Sequence, residues 1–210
     1  MAGQGGERVP DGGYPAPPPV PVTGIAAVYI DEQRIRRRVA ALAAGIAADS
    51  GAFIHAIVIL KGGVVFATDL FREIARIRPV DIFHSFMKAS SYGMGDRSGG
   101  TVHLSHDSHP IRDQDILIVE DIIDSGRTVA RLKEHLLTER GAKSVRVCVL
   151  LDKHARRLPE FDRPLDYCGF VVADRFLVGY GLDYAEHFRH LPYLALVDQA
   201  AVDAQDGKTQ

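Results

Sequence analysis

The chain is poor in everything that would staple it, charge it strongly or anchor it in a bilayer. Its two cysteines, Cys148 and Cys168, sit in apolar stretches with no CxxC pattern, which argues against a disulfide scaffold or a thiolate zinc site. Basic and acidic residues nearly cancel, 25 against 27, so the net charge of −2 supplies no broad basic face for nucleic acid. No apolar run approaches the roughly 18 residues of a membrane span. The first residues also lack the basic-then-apolar order of a secretory signal. Neither GxxxxGK[ST] nor a strand-borne GxGxxG occurs, so a Walker loop and a dinucleotide fingerprint are both missing. The expectation is a cytoplasmic protein with neither a membrane nor a nucleic-acid partner.

What is present suits one globular domain. Of 210 residues, 46% are hydrophobic and 25% charged, ordinary values for such a fold. Residues 1–24 hold six Gly and six Pro, too few core formers to offset ordering entropy, and read as a disordered arm. Residues 198–210 read as a polar tail, leaving 25–197 as the folded body. Asp31 can cap a helix whose apolar stripe is Ile35, Val39, Leu42 and Ile46, with Arg34, Arg36, Arg37 and Arg38 on the solvated side. A continuous apolar run at 54–60 suits a strand buried on both faces. Phe66, Leu70, Ile74 and Ile77 pattern the next helix. Strands follow at 80–87, 116–119 and 145–151, with a helix carrying Val129, Leu132 and Leu136 stopped at Gly141. Alternating strands and helices imply an α/β fold with a parallel, right-handed sheet. Ligands of such sheets lie at the carboxyl ends of the strands.

The most informative stretch is Ile116-Leu-Ile-Val-Glu-Asp-Ile-Ile-Asp-Ser-Gly-Arg-Thr128. An apolar strand runs into three carboxylates, a small hydroxylated loop and a helix. Ser125, Gly126 and Thr128 offer close backbone approach, hydroxyl donors and a helix N-terminus, which together suit a phosphate monoester. Glu120 and Asp121 suit ribose hydroxyls or a hard divalent cation. A capped helix with a surface acidic patch is the plainer alternative, but paired carboxylates at the end of a buried strand are costly.

This stretch resembles the phosphoribosyl-pyrophosphate (PRPP) motif of the type I phosphoribosyltransferases, in their hypoxanthine-guanine (6-oxopurine) branch. Four more patches agree in order: Leu60-Lys61-Gly62-Gly63 with the pyrophosphate loop, 89–93 with the start of the mobile lid, Leu151-Asp152-Lys153 with the purine-reading strand end, and 176–184 followed by Phe188-Arg189 with the hood. The resemblance implies a central parallel sheet flanked by helices, with a small hood over the site. It implies transfer of the 5-phosphoribosyl group from PRPP to hypoxanthine or guanine, giving a nucleoside monophosphate and pyrophosphate.

Residue roles follow from the same resemblance. Asp124, Ser125, Gly126, Arg127 and Thr128 would wrap the 5-phosphate, and Glu120 and Asp121 would face the ribose. Asp124 would be the general base at purine N7. Lys61, Gly62 and Arg189 would meet pyrophosphate, the Leu60–Lys61 peptide being cis in some members. Lys153 would donate to the purine O6, Phe176 would stack on the base, and the Leu177 backbone would read its Watson–Crick edge. Asp183 would lie near a second magnesium ion and the purine 2-position, so Glu120, Asp121 and Asp183 form the expected Mg2+ set. Ser91 and Tyr92 would close over the pyrophosphate. A homodimer or homotetramer is implied as well.

Beyond Tyr92 the chain departs from the family pattern. His103, His106 and His109 recur at spacing three beside Asp107, without HExxH, and read as a solvated lid flank. Two alternatives stay open: a xanthine-preferring enzyme, and a PRPP-sensing regulator that binds nucleic acid.

Overall fold

The computed structural model describes residues 5–10, 22–91, 102–104, 110–161 and 164–198, without the side chains of 89–91, 102–104 and 160. In chain order its strands are β1 (Glu7–Arg8), β2 (Ile25–Ile30), β3 (Phe53–Leu60), β4 (Asp81–Ser91), β5 (Val102–Leu104), β6 (Asp115–Ile123), β7 (Ser144–Asp152), β8 (Tyr167–Val171), β9 (Leu177–Val178) and β10 (Leu194–Val197). The helices are α1 (Glu32–Asp49), α2 (Gly63–Ile77) and α3 (Arg127–Glu134), the last continuing into a wider turn over His135–Glu139.

Asp31 starts α1 as its sequence position predicts, accepting the Arg34 backbone N–H at 2.7 Å. The predicted stripe Ile35, Val39, Leu42 and Ile46 is fully buried. Each such side chain contributes about 1.5–3 kcal/mol of transfer free energy. On α2 the stripe ends one turn early: Phe66, Leu70 and Ile74 are buried, whereas Ile77, the last residue of the helix, is 49% exposed.

Six strands form a parallel sheet in the order β1-β8-β7-β6-β3-β4, and β5 adds to β4 antiparallel. Its middle strands are apolar on both faces. Along β3, Ile54, Ala56 and Val58 pack into one core with α1 and α2, while Ile57 and Ile59 pack into the other with Val129, Leu132 and Leu136. β6 and β7 alternate in the same way, Leu117 and Val119 against Ile116 and Ile118, and Cys148 and Leu150 against Val147 and Val149. A separate antiparallel sheet, β2-β10-β9, forms the hood. Cys148 and Cys168 are free and buried, in opposite cores, so no disulfide joins them.

The disordered arm expected over 1–24 needs correction at its described part. Glu7–Arg8 pairs parallel with Phe170 and Val171 and covers the β8 edge. Two arginines assigned to solvent hold it there. Arg34 forms an ion pair with Glu7 and stacks over Phe170, and Arg38 donates to the carbonyls of Gly5, Cys168 and Gly169, each at 2.7 Å. An exposed strand edge and a half-buried guanidinium supply the stabilisation that composition alone did not show. Residues 11–21 and the tail beyond Asp198 lie outside the described residues.

Removing residues 1–10 should therefore lower the unfolding free energy by about 1–3 kcal/mol, the worth of hydrogen bonds to a charged group, with turnover retained. Denaturant titration of the truncated chain checks this, and an unchanged midpoint would contradict it.

Candidate active site

The carboxyl ends of β3, β6 and β7 lie side by side, and the hood closes on them. β3 runs out at Leu60, the Leu60–Lys61 peptide is cis, and α2 begins at Gly63. Gly62 has to be glycine, because a Cβ there would fall 1.6 Å from Asp121 Oδ2. The hood presses on the same loop from the other side. Gly181 sits at φ +103°, and a Cβ on it would lie 2.2 Å from the Gly62 carbonyl. Two glycines thus let the loop after β3 take in the Asp121 carboxylate on one side and the hood backbone on the other.

At the end of β6, Glu120 is buried and its Oε2 has no hydrogen-bond partner. Burial, and then the charge of Asp121, push the Glu120 carboxyl well above its ordinary range. Asp121 keeps a little surface in solvent, yet its carboxyl is enclosed under Gly62, and burial raises it to about 6. Hydrogen bonds from backbone N–H groups, including Ile122 at 2.9 Å, and the charge of Arg189 pull the other way, while Asp183 adds to the rise. Neither Glu120 nor Asp121 has a salt-bridge partner among the described residues.

The next turn carries Asp124, Ser125 and Gly126 into α3. Gly126 adopts φ +85°, and a Cβ would press within 2.9 Å of Phe161 Cβ. The Ser125 carbonyl accepts from Leu158 N–H at 3.2 Å, and Lys153 N–H donates to the Ile123 carbonyl at 2.9 Å, so the β7 loop braces this turn. Arg127 is exposed and Thr128 half-buried at the start of α3. Asp124 is not alone: Arg156 Nε meets its Oδ1 at 2.7 Å and Arg156 Nη1 reaches Asp174 at 3.2 Å, while Lys153 Nζ lies 3.4 Å from Asp174. The expected general base and the expected purine-reading lysine are thus linked through Arg156 and Asp174. A buried pair, Arg157 Nε to Asp152 Oδ1 at 2.9 Å, fixes the loop that carries them.

In the hood, Phe176 is 56% exposed and meets Tyr184 edge-on, an aromatic face free to stack on a flat ligand. Leu177 is buried in β9, an edge strand of its sheet. The following turn holds Tyr180, Ala185, Glu186 and Phe188 at positive φ, strained positions for non-glycine residues. Arg189 is tied into this turn by its bond to the Gly181 carbonyl at 2.8 Å and its ion pair with Asp183 at 2.7 Å. Its Nε is buried without a partner. Lys61 Nζ, from the loop after β3, lies 2.9 Å from Glu186 Oε1.

The expected magnesium set is only partly gathered. Among the described residues no three His, Cys, Asp or Glu side chains converge tightly enough to hold a metal alone. Asp183 faces Arg189 and accepts the Glu186 N–H at 2.8 Å instead. Two unneutralised carboxylates, one with an orphaned oxygen, still fit magnesium, which commonly takes one or two carboxylates and completes its shell with substrate phosphates and water. Tyr92, His106 and His109 lie outside the described residues. Ser91 ends β4, and His103 pairs with Ser90 through β5, both with side chains outside the description. No helix among the described residues is long and apolar enough to cross a membrane.

The Phosphoribosyl transferase domain family matches residues 28–185, from β2 through the hood turn. The chain belongs to that family. Hypoxanthine phosphoribosyltransferase of Salmonella typhimurium is 44% identical over 174 residues, 81% of this chain and 94% of that protein. Hypoxanthine-guanine phosphoribosyltransferase of Bacillus subtilis is 41% identical over 182 residues, covering 86% and 97%. A solved hypoxanthine-guanine phosphoribosyltransferase from Bacillus anthracis superposes with a TM-score of 0.72 at 40% identity, over 82% of this chain and 98% of its own.

As a phosphoribosyltransferase, the chain brings Lys61, Gly62, Asp121, Asp183 and Arg189 into one cluster and Asp124, Ser125 and Lys153 into a second beside it. Arg156, Asp174 and Glu186 belong to these clusters too, and sequence reading passed them over. Arg156 follows Lys153 in a basic run, and Glu186 stands three residues before Arg189, but neither spacing announces a partner from another strand end.

Asp121→Asn tests the electrostatics. The folded pKa near 6 exceeds the ordinary 3.8, so between about pH 4 and 6 the unfolded chain binds fewer protons. Stability from this group is present below pH 4 and is lost as pH rises through 6, a cost of about 3 kcal/mol. The variant should be more stable than the parent at pH 7–8 by up to about that amount, with the difference vanishing near pH 4. Denaturant midpoints across pH check this, and a pH-independent difference would contradict it.

Proposed function

We propose that the protein is a purine salvage enzyme that transfers the 5-phosphoribosyl group of PRPP to hypoxanthine or guanine, releasing pyrophosphate and IMP or GMP. One observation carries the reading. The cations Lys61 and Arg189 and the unneutralised carboxylate Asp121 gather at Gly62, with Glu120 next to Asp121 on β6, which is what a ligand with an anionic end and ribose hydroxyls requires. The similarity to hypoxanthine and hypoxanthine-guanine enzymes narrows the acceptor.

Each group then has a task. Backbone N–H groups and hydroxyls over 124–128, opening at the left-handed Gly126, receive the 5-phosphate. Glu120 and Asp121 accept from the ribose hydroxyls. Lys61 and Arg189 hold the pyrophosphate, whose charge grows as the C1–O bond breaks and C1 takes on oxocarbenium character. Magnesium, held by the β6 carboxylates together with substrate oxygens, would offset leaving-group charge. Asp124 takes the N7 proton of the purine, a role commonly worth ~100- to 10,000-fold in rate. Releasing Asp124 for that task means parting it from Arg156, whose second contact on Asp174 gives the guanidinium somewhere to stay.

The base is read from β7 and the hood. Phe176 stacks on the purine and Leu177 offers its backbone to the Watson–Crick edge. Lys153, 12% exposed, donates to O6. An adenine presents a donor at that position, so Lys153 would face a donor and the base is rejected. The exposed apolar side chains Phe53, Ile77 and Phe86 supply surface for the homodimer or homotetramer that belongs to the same reading.

The test is pyrophosphate release with PRPP and magnesium chloride, offering hypoxanthine, guanine, xanthine and adenine separately. Turnover with hypoxanthine and guanine, little with adenine, and a loss of ~100-fold or more in Asp124→Asn is the expected outcome. Preference for xanthine would move the acceptor assignment. No turnover with any base, despite PRPP binding, would overturn the enzyme reading in favour of a ligand sensor.

A further inference from the structure

Glu186 reaches both cations assigned to pyrophosphate. Its Oε1 lies 2.9 Å from Lys61 Nζ and its Oε2 lies 3.1 Å from Arg189, so one carboxylate joins the β3 loop to the hood turn. The backbone presents it deliberately. Glu186 sits at φ +69°, its N–H donates to Asp183 at 2.8 Å, and neighbouring Ala185 is also left-handed. Arg189 nonetheless keeps a buried Nε without a partner, so the side-chain anion satisfies the guanidinium only in part.

We propose that Glu186 is a positioning residue that holds Lys61 and Arg189 together as an internal anion before substrate binds, and yields its place to pyrophosphate. The inference rests on the reading of Lys61 and Arg189 as the pyrophosphate contacts. Glu186 is solvent-exposed and carries two oxygens at the spacing of an ion bridge, so it competes with the phosphoryl oxygens for the same donors. Competition has two sides. It weakens the grip on PRPP and pyrophosphate, and by returning to the cations Glu186 speeds departure of the product anion. It also keeps two like charges from repelling each other while they wait.

Two variants remove the bridge: Glu186→Gln keeps the side-chain volume, and Glu186→Gly suits the positive φ. Calorimetric titration with inorganic pyrophosphate in magnesium chloride reads the effect directly. Loss of two exposed ion pairs should tighten pyrophosphate binding about three- to tenfold. In steady state, KM for PRPP should fall by a similar factor with KM for hypoxanthine unchanged, and kcat should fall if product release limits turnover. A Lys61→Ala background separates bridging from bulk charge. The gain should shrink there, because half of the bridge is already gone. An equal gain in both backgrounds would overturn the bridge, as would unchanged or weaker pyrophosphate binding in both folded Glu186 variants. If Lys61→Ala alone fails to weaken pyrophosphate binding, the assignment beneath the proposal falls, and the proposal with it.

Discussion

Two carboxylates that the fold buries without neutralising, Glu120 and Asp121, set the terms for the whole ligand face. They stand where a strand apolar on both sides runs out between its two cores, and no cation among the described residues pairs with them. Burying unpaired charge is costly, and natural interiors avoid it unless something else completes the site. Here the sheet supplies the burial and the proposed ligand, a magnesium-bound sugar phosphate, supplies the completion.

The surrounding structure follows from that constraint. Gly62 has no side chain because Asp121 already occupies the space, and Gly181 has none because the hood must rest on the Gly62 carbonyl. Those two contacts bring Lys61 and Arg189 to the rim, where Arg189 is near enough to pull on Asp121 yet pairs with Asp183, and Lys61 pairs with Glu186. On the other side, Arg157 and Asp152 form a nearly dry ion pair that anchors the loop carrying Lys153 and Arg156. Stability and function divide along this line. Anchors such as Asp152–Arg157 and Arg38 on the β8 carbonyls are buried or half-buried, whereas pairs at the ligand face are more exposed and exchangeable.

Much of this was legible in the sequence. The apolar runs at 54–60 and 116–119 announce strands buried on both faces, and the structure has both where they were expected. The helix stripe on α1 needed only periodicity and a cap. The hood was legible as a motif but not as strands: β9 has two residues and β10 four, too short for alternation to stand out. β1 was hidden for another reason. Two residues in a Gly/Pro-rich arm carry no pattern, and their pairing depends on Arg34 and Arg38, which read as ordinary surface charge. Arg156, Asp174 and Glu186 stayed hidden because an ion pair across loops from different strand ends leaves no local spacing.

The constraint at the centre, that burial without a paired cation raises the Asp121 carboxyl to about 6, can be met directly. Isothermal titration of PRPP with magnesium chloride at pH 6, in two buffers of different ionisation enthalpy, counts the protons exchanged on binding. A carboxyl raised to about 6 should lose up to about half a proton per site as the complex forms, and Asp121→Asn should lose correspondingly less. The same proton count in the parent and in Asp121→Asn, with binding intact in both, would mean that Asp121 is already fully ionised and that the fold does not hold it in wait.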